Sequence, residues 1–143
     1  MKQALFLAKM AQEEDEVPVG AVVIHNGIVV GKGYNRREKE QNPISHAEIV
    51  AIQEASRTLG SWRLTGCRLV VTLEPCLMCL AASQQARLTE IIYGAKDPKG
   101  GALSLGYGFN EDLRANHRFA VSYIDTPECG QILSDFFAQK RRS

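Results

Sequence analysis

His46-Ala47-Glu48 and Pro75-Cys76-Leu77-Met78-Cys79 are the stretches from which the rest of this chain is best read. Together they form an H-x-E…P-C-x-x-C pattern, much rarer by chance than either half. One imidazole and two thiolates are the donor set that suits zinc, and three protein ligands leave the fourth tetrahedral corner for water. A carboxylate that is not itself a ligand can then move that water's proton, so the four residues contain the parts needed to make hydroxide at neutral pH. Cys76 and Cys79, spaced i, i+3, can grip one ion from the first turn of a helix. His46 and Glu48, at i, i+2, point to different sides of an ideal helix and share a site only if it lies over the helix end.

Both segments fall at predicted helix starts, where unpaired N–H groups and the macrodipole favour thiolates and hydroxide. Upstream, Ser45 with Glu48 fits a capping box that opens a helix running to about Leu59, with Ile49, Ile52 and Ala55 on one side. The polar stretch Asn35 to Pro43 reads as a loop. Before it, Val17 to Ile24 and Ile28 to Tyr34 are β-rich runs around Asn26-Gly27, a dipeptide suited to the positive φ angles of a tight hairpin. Residues 2 to 12 read as a helix. Between the two motifs, Arg68 to Leu73 reads as a strand buried on both faces.

Downstream, a helix from about Cys76 to Arg87 leads into a strand, Glu90 to Tyr93. A Gly-rich segment, Ala95 to Phe109, and a short helical stretch near Glu111 to Ala115 precede a last strand, Phe119 to Ile124. The connection from Tyr93 to Phe119 is well beyond the dozen or so residues a crossover requires, which predicts that the last two strands are parallel. Thr126 and Pro127 then cap and start a final helix that ends in Lys140-Arg141-Arg142. The pattern predicts a three-layer α/β domain with a five-stranded mixed sheet flanked by helices.

With 143 residues, 45% of them hydrophobic, the chain is long enough for a single domain spanning 1–143. A formal net charge of +1 gives no bulk field that would advertise a polyanion partner. Met1 to Lys9 begins like a short signal, but Lys9 and the acidic run Glu13-Glu14-Asp15-Glu16 interrupt it. No apolar run approaches the roughly 18 residues of a membrane span, so a cytoplasmic protein is expected. In a reducing compartment the four cysteines are no evidence of disulfides. Cys67 and Cys129 read as structural, the latter opening an apolar helical stripe with Ile132, Leu133, Phe136 and Phe137.

Other readings of these residues stand beside the first. A structural zinc would need a fourth protein ligand, for which His25, Cys67, His117 or Cys129 could serve. A redox C-x-x-C would leave the upstream H-x-E unexplained. Glu48 could simply complete the capping box, Asn35 could be a turn residue, and His25 and Asn26 beside the hairpin turn read as solvated.

From Glu16-Val17-Pro18-Val19-Gly20-Ala21-Val22 through Ser134-Asp135-Phe136-Phe137 the chain closely resembles the bacterial tRNA-specific adenosine deaminases, zinc enzymes that convert a wobble adenosine to inosine. The zinc motif is shared by all cytidine deaminase-like enzymes. The blocks that narrow the likeness are Gly33-Tyr34-Asn35-Arg36, Thr72-Leu73-Glu74-Pro75-Cys76-Leu77-Met78-Cys79, Tyr93-Gly94-Ala95-Lys96-Asp97 and Asn116-His117-Arg118.

The resemblance implies a cytidine deaminase-like fold with His46, Cys76 and Cys79 as ligands of one Zn2+ per subunit, Glu48 as the catalytic proton shuttle and Asn35 as a contact to the flipped nucleotide. It implies a tRNA anticodon stem-loop as substrate, with Lys96, Asp97, Lys99, Asn116, His117 and Phe137 as weaker candidates for lining an RNA groove. Lys96, Lys99, Arg114, Arg118 and the Lys140-Arg141-Arg142 end could meet phosphates. It also implies a homodimer. The chain departs from the family pattern at Ala138-Gln139, where relatives often carry another basic residue. Two rival functions share the motif: a deaminase of free cytidine, cytosine or guanine, and a non-catalytic zinc-stabilised RNA-binding module.

Overall fold

The computed structural model describes residues 1–142. Helix α1 (Lys2–Glu13) is followed by strands β1 (Gly20–His25) and β2 (Ile28–Tyr34), a one-turn helix α2 (Arg37–Glu40) and helix α3 (Ala47–Leu59). Strand β3 (Cys67–Val71), helix α4 (Leu77–Gln85) and strand β4 (Glu90–Tyr93) lead through a 3-10 turn (Phe109–Glu111) to strand β5 (Ala120–Tyr123) and helix α5 (Pro127–Arg142). The sheet order is β2-β1-β3-β4-β5. Strand β1 is antiparallel to both β2 and β3, whereas β3, β4 and β5 run parallel. The mixed sheet with its last two strands parallel is the one the long connection predicts.

The β1–β2 hairpin turns at Asn26 and Gly27 with φ of 51° and 76°, the paired positive angles of a type I′ turn. Alternation along β1 and β2 sorts residues to two faces. Ala21, Val23, Leu69, Val71 and Ile91 join Ala47, Ala51, Ala55 and Leu80 in the larger core, under α3 and α4. Val22, Tyr34 and Val70 join Leu7 and Ala11 in a smaller one, under α1.

The buried stripe of α3 differs from the expected one. Ala47, Ala51 and Ala55 are buried, while Ile49 and Ile52 are only half-buried. The reason lies in β2: a Cβ at Gly31 or Gly33 would collide with the backbone of α3 at Ala51 or Ala47, so helix and strand meet almost backbone to backbone. Only small side chains fit between them.

The helix starts also differ in detail. Instead of a capping box, His46 occupies the N-cap of α3 with extended φ and ψ of −75° and 153°. The Ser45 hydroxyl donates to Glu40 Oε1 at 2.8 Å, and the Ala47 N–H donates to Asn35 Oδ1 at 2.8 Å. The cap is thus supplied across the chain rather than locally. Residues 37–40, expected as loop, form α2 because the buried Glu16 carboxylate accepts the N–H groups of Glu38 at 3.1 Å and Lys39 at 2.7 Å. The short helical turn sits at Phe109–Glu111 rather than near Glu111 to Ala115. Strand β1 begins at Gly20, three residues later than expected from Val17, and β3 ends at Val71 rather than Leu73.

Candidate functional site

Two helix N-termini converge at the end of the sheet from which β3 exits. Cys76 is the N-cap of α4, with extended φ and ψ of −73° and 172°, and Cys79 sits in the first turn. His46, the N-cap of α3, faces them: its Nδ1 lies 3.6 Å from the sulfur of Cys76 and 3.6 Å from that of Cys79. All three donor atoms lie within 4.8 Å of one another. A tetrahedral zinc bonded at about 2.0–2.1 Å to nitrogen and 2.3 Å to sulfur requires N···S edges of about 3.6 Å. The residues therefore fit a zinc ion in donor type and in spacing, with Nδ1 as the imidazole donor.

Without a metal the three donors share protons among themselves. The Cys76 thiol is brought down to about 4 by hydrogen bonds from Cys79 and His46. Cys79 is pushed strongly upward by sharing its proton with Cys76 and by burial. His46 is raised, chiefly by its hydrogen bond to Cys76. One thiolate with protons shared among three converging lone pairs is an arrangement from which a dication displaces the remaining protons.

Glu48, at the second residue of α3, is 4% exposed, and burial pushes its carboxyl up to about 7. It lines a cavity of about 150 Å3 with Asn35, His46, Glu74, Cys76 and Asp97. A His and a Glu two residues apart reach the same site because that site lies over the helix end. Asn35 is buried in the cavity wall, its Nδ2 donating to the Val17 carbonyl at 3.0 Å and its Oδ1 receiving the Ala47 N–H. One donor and one lone pair of the amide are left over.

A wider cavity of about 750 Å3 adjoins, sharing Val17, Asn35 and Arg37 and bordered by Lys39, Phe136 and Lys140. Two of its cations are engaged: Lys39 Nζ lies 2.8 Å from Glu14 and Lys140 Nζ 2.6 Å from Asp15.

The weaker candidates are scattered. Asp97 borders the site. Lys99 is exposed, its N–H donating to Asp97 Oδ1 at 3.3 Å, and the Lys96 ammonium sits 5.0 Å from the centre of the Tyr123 ring. Phe137 is exposed and packs edge-on to Phe136 at 5.4 Å; it is Phe136 that faces the wider cavity. Asn116 Oδ1 accepts from Gln84 at 2.6 Å, and His117 Nε2 lies 2.8 Å from the Leu88 carbonyl. Asn116 therefore attaches at the last turn of the nine-residue α4, about 7.5 Å along its axis from Cys79, and His117 just beyond the helix end. Of the other potential ligands, Cys67 hydrogen bonds locally to Thr65 and Cys129 packs beneath Gly94. Among the described residues, the His46-Cys76-Cys79 group is the one with metal-binding geometry.

Arg37, Phe136 and Glu74 border the cavities without having been singled out from the sequence. Arg37 sat in an assumed loop and Phe136 in an apolar stripe. Glu74 carried a visible signal, a carboxylate closing an apolar strand directly before Pro75-Cys76.

Residues 1–141 match the MafB19-like deaminase family. A tRNA-specific adenosine deaminase of Bacillus subtilis is 45% identical over 99% of this chain and 89% of its own length. A solved structure from work on A-to-I editing by tRNA:A34 deaminases at the wobble position superposes with a TM-score of 0.88 at 43% identity, covering 93% of this chain and 97% of that one. The guanine deaminase of Bacillus subtilis superposes with a TM-score of 0.65 at 31% identity, covering 98% of this chain and 90% of that one. Similarity at this level over nearly the whole length, together with the sheet order and the paired helix starts, means that the chain belongs to the tRNA-specific adenosine deaminases within the MafB19-like deaminase family.

Proposed function

We infer that the protein hydrolyses the wobble adenosine of a tRNA anticodon loop to inosine, consuming one water and releasing one ammonia. The observation that carries this reading is the meeting of two helix N-termini with Nδ1 and both Sγ atoms at zinc-ligand spacing, in a chain alike along its length to enzymes named for that reaction. His46 Nδ1, Cys76 Sγ and Cys79 Sγ hold the metal, one ion per subunit. The ion, when bound, supplies Lewis acidity and lowers the pKa of water.

Glu48 moves the protons. Its buried carboxyl accepts one proton from the attacking water and passes it to the ring nitrogen beside the amino-bearing carbon, then carries the second proton, from the hydroxyl that has added to that carbon, to the amino group, which departs as ammonia. Asn35 orients the base: its remaining donor and acceptor suit a purine edge, while its two internal hydrogen bonds hold the amide still.

An anticodon loop presents unstacked bases, so one can enter the small cavity without melting a duplex. The wider cavity then receives neighbouring nucleotides. Its exposed ion pairs contribute little to stability, so phosphate can displace Glu14 and Asp15 from Lys39 and Lys140. Leu77, Leu105 and Tyr107, exposed on segments next to the site, support a homodimer in which a second copy covers them. A tRNA substrate supports a cytoplasmic location.

Incubating zinc-loaded protein with an anticodon stem-loop containing wobble adenosine, and separately with guanine and cytidine, tests the substrate. Inosine and ammonia are expected from the RNA. Turnover of the free compounds alone would move the protein to the guanine deaminase side of its relatives.

A further inference from the structure

Glu74 is the buried carboxylate that the chemistry above leaves without a task. It lies three residues past the end of β3, is 3% exposed and precedes Pro75-Cys76 directly. No lysine, arginine or histidine pairs with it among the described residues. Its charge is met instead by one short segment of chain: Oε1 accepts the Asp97 N–H at 3.1 Å and the Ser104 hydroxyl at 2.6 Å, and Oε2 accepts the Ser104 N–H at 2.8 Å. Gly101 lies so close that a Cβ there would strike the carboxylate.

Two further bonds sew the same segments together, Glu74 N–H to the Ala95 carbonyl at 2.8 Å and Ala102 N–H to the Pro75 carbonyl at 2.9 Å. Within the loop, Asp97 accepts the N–H groups of Lys99 and Gly100 on its side chain and that of Gly101 on its carbonyl. Glu74 and Asp97 both border the small cavity. Apolar burial in this loop is confined to its two ends, Ala95 on one side and Ala102 with the partly buried Leu103 on the other, and Lys96, Pro98 and Lys99 between them are exposed. A carboxylate that gathers those two ends fixes the span between them.

We propose that Glu74 is a positioning residue that fixes the 95–104 loop as one wall of the substrate cavity, so that its hydrogen bonds to Asp97 and Ser104 set substrate affinity rather than metal binding or proton transfer. Glu74 acts through the loop. It rests on the deaminase reading for its kinetic consequence but not for its structural one.

Glu74→Gln puts an amide N–H2 against N–H donors while keeping the shape. Zinc content is expected to stay at one ion per chain. Amide hydrogen exchange at Asp97 and Ser104 should rise by about tenfold or more, the effect of losing one charge-assisted hydrogen bond, with α3 amides unchanged. For the anticodon stem-loop, KM should rise by about tenfold with kcat within about threefold. Ser104→Ala, which removes only the hydroxyl donor, should show the same split at smaller size and decides the matter if Glu74→Gln does not fold. Unchanged exchange at Asp97 and Ser104, unchanged KM, or zinc loss in step with kcat would overturn the proposal. If the wild-type protein turns over guanine and not the stem-loop, the substrate assignment fails by itself, and the same exchange and KM measurements made with guanine still test Glu74.

Discussion

The two ends of α4 carry similar residues and do different things with them. At the N-terminal end His46 turns its Nδ1 toward two sulfurs, all three groups offering lone pairs to one point. At the C-terminal end His117 spends its Nε2 on the Leu88 carbonyl and stacks on Phe119 at 5.7 Å. Asn35 and Asn116 divide the same way, the first buried between a carbonyl and a helix N–H beside the cavity, the second exposed against Gln84. The lesson is that a histidine marks a metal site when its ring nitrogen converges with two thiol sulfurs on one point, and marks ordinary stitching when that nitrogen is taken up by a single carbonyl oxygen.

The contrast breaks most visibly at Cys79, which is fully buried. Cys79→Ala leaves two ligands, too few for a tight zinc site. Metal analysis of the purified variant should show sub-stoichiometric zinc, and turnover should fall below that of any variant that keeps its metal. Retention of one ion per chain would return Cys67 or Cys129 to consideration as a ligand.

Glu48→Gln sharpens the same end by separating metal from proton. Zinc content and fold should survive, while turnover drops by about 10²–10⁴-fold, the usual loss when a general acid–base group is removed. Single-turnover kinetics with the stem-loop measures it. A variant that lost zinc together with activity would show Glu48 to be holding the site rather than serving it.

The smallest effect is expected at the other end. His117→Ala removes one hydrogen bond and a ring stack, a stability loss of about 1–2 kcal/mol by denaturant titration. Turnover of the anticodon stem-loop should stay within about twofold if His117 only joins β5's approach to α4. A larger fall in kcat/KM for RNA at unchanged zinc content would give that end a part in binding.

Much of this was readable from residues whose partners lie close along the chain. Asn26-Gly27 announced its turn, the Tyr93 to Phe119 distance announced parallel strands, and His46, Cys76 and Cys79 announced helix starts. What was not readable depended on distant partners. Residues 37–40 have no apolar period, and their helix exists because Glu16 reaches them from the end of α1. Ser45 and Glu48 have the spacing of a capping box, yet Asn35 supplies the cap, an exchange that only the tertiary fold can make. The alanine face of α3 was hidden because isoleucine is the stronger hydrophobic signal, and only the glycines of β2 opposite make it too large.

Those glycines have a bearing on which parts of this chain can shift relative to the sheet. With Gly31 and Gly33 allowing α3 to rest on the strand with almost no side-chain cushion, the helix that carries His46 and Glu48 has nowhere to slide. In this chain a change of substrate preference is therefore expected from substitutions in the connecting segments that rim the opening, with the positions of His46 and Glu48 left as they are.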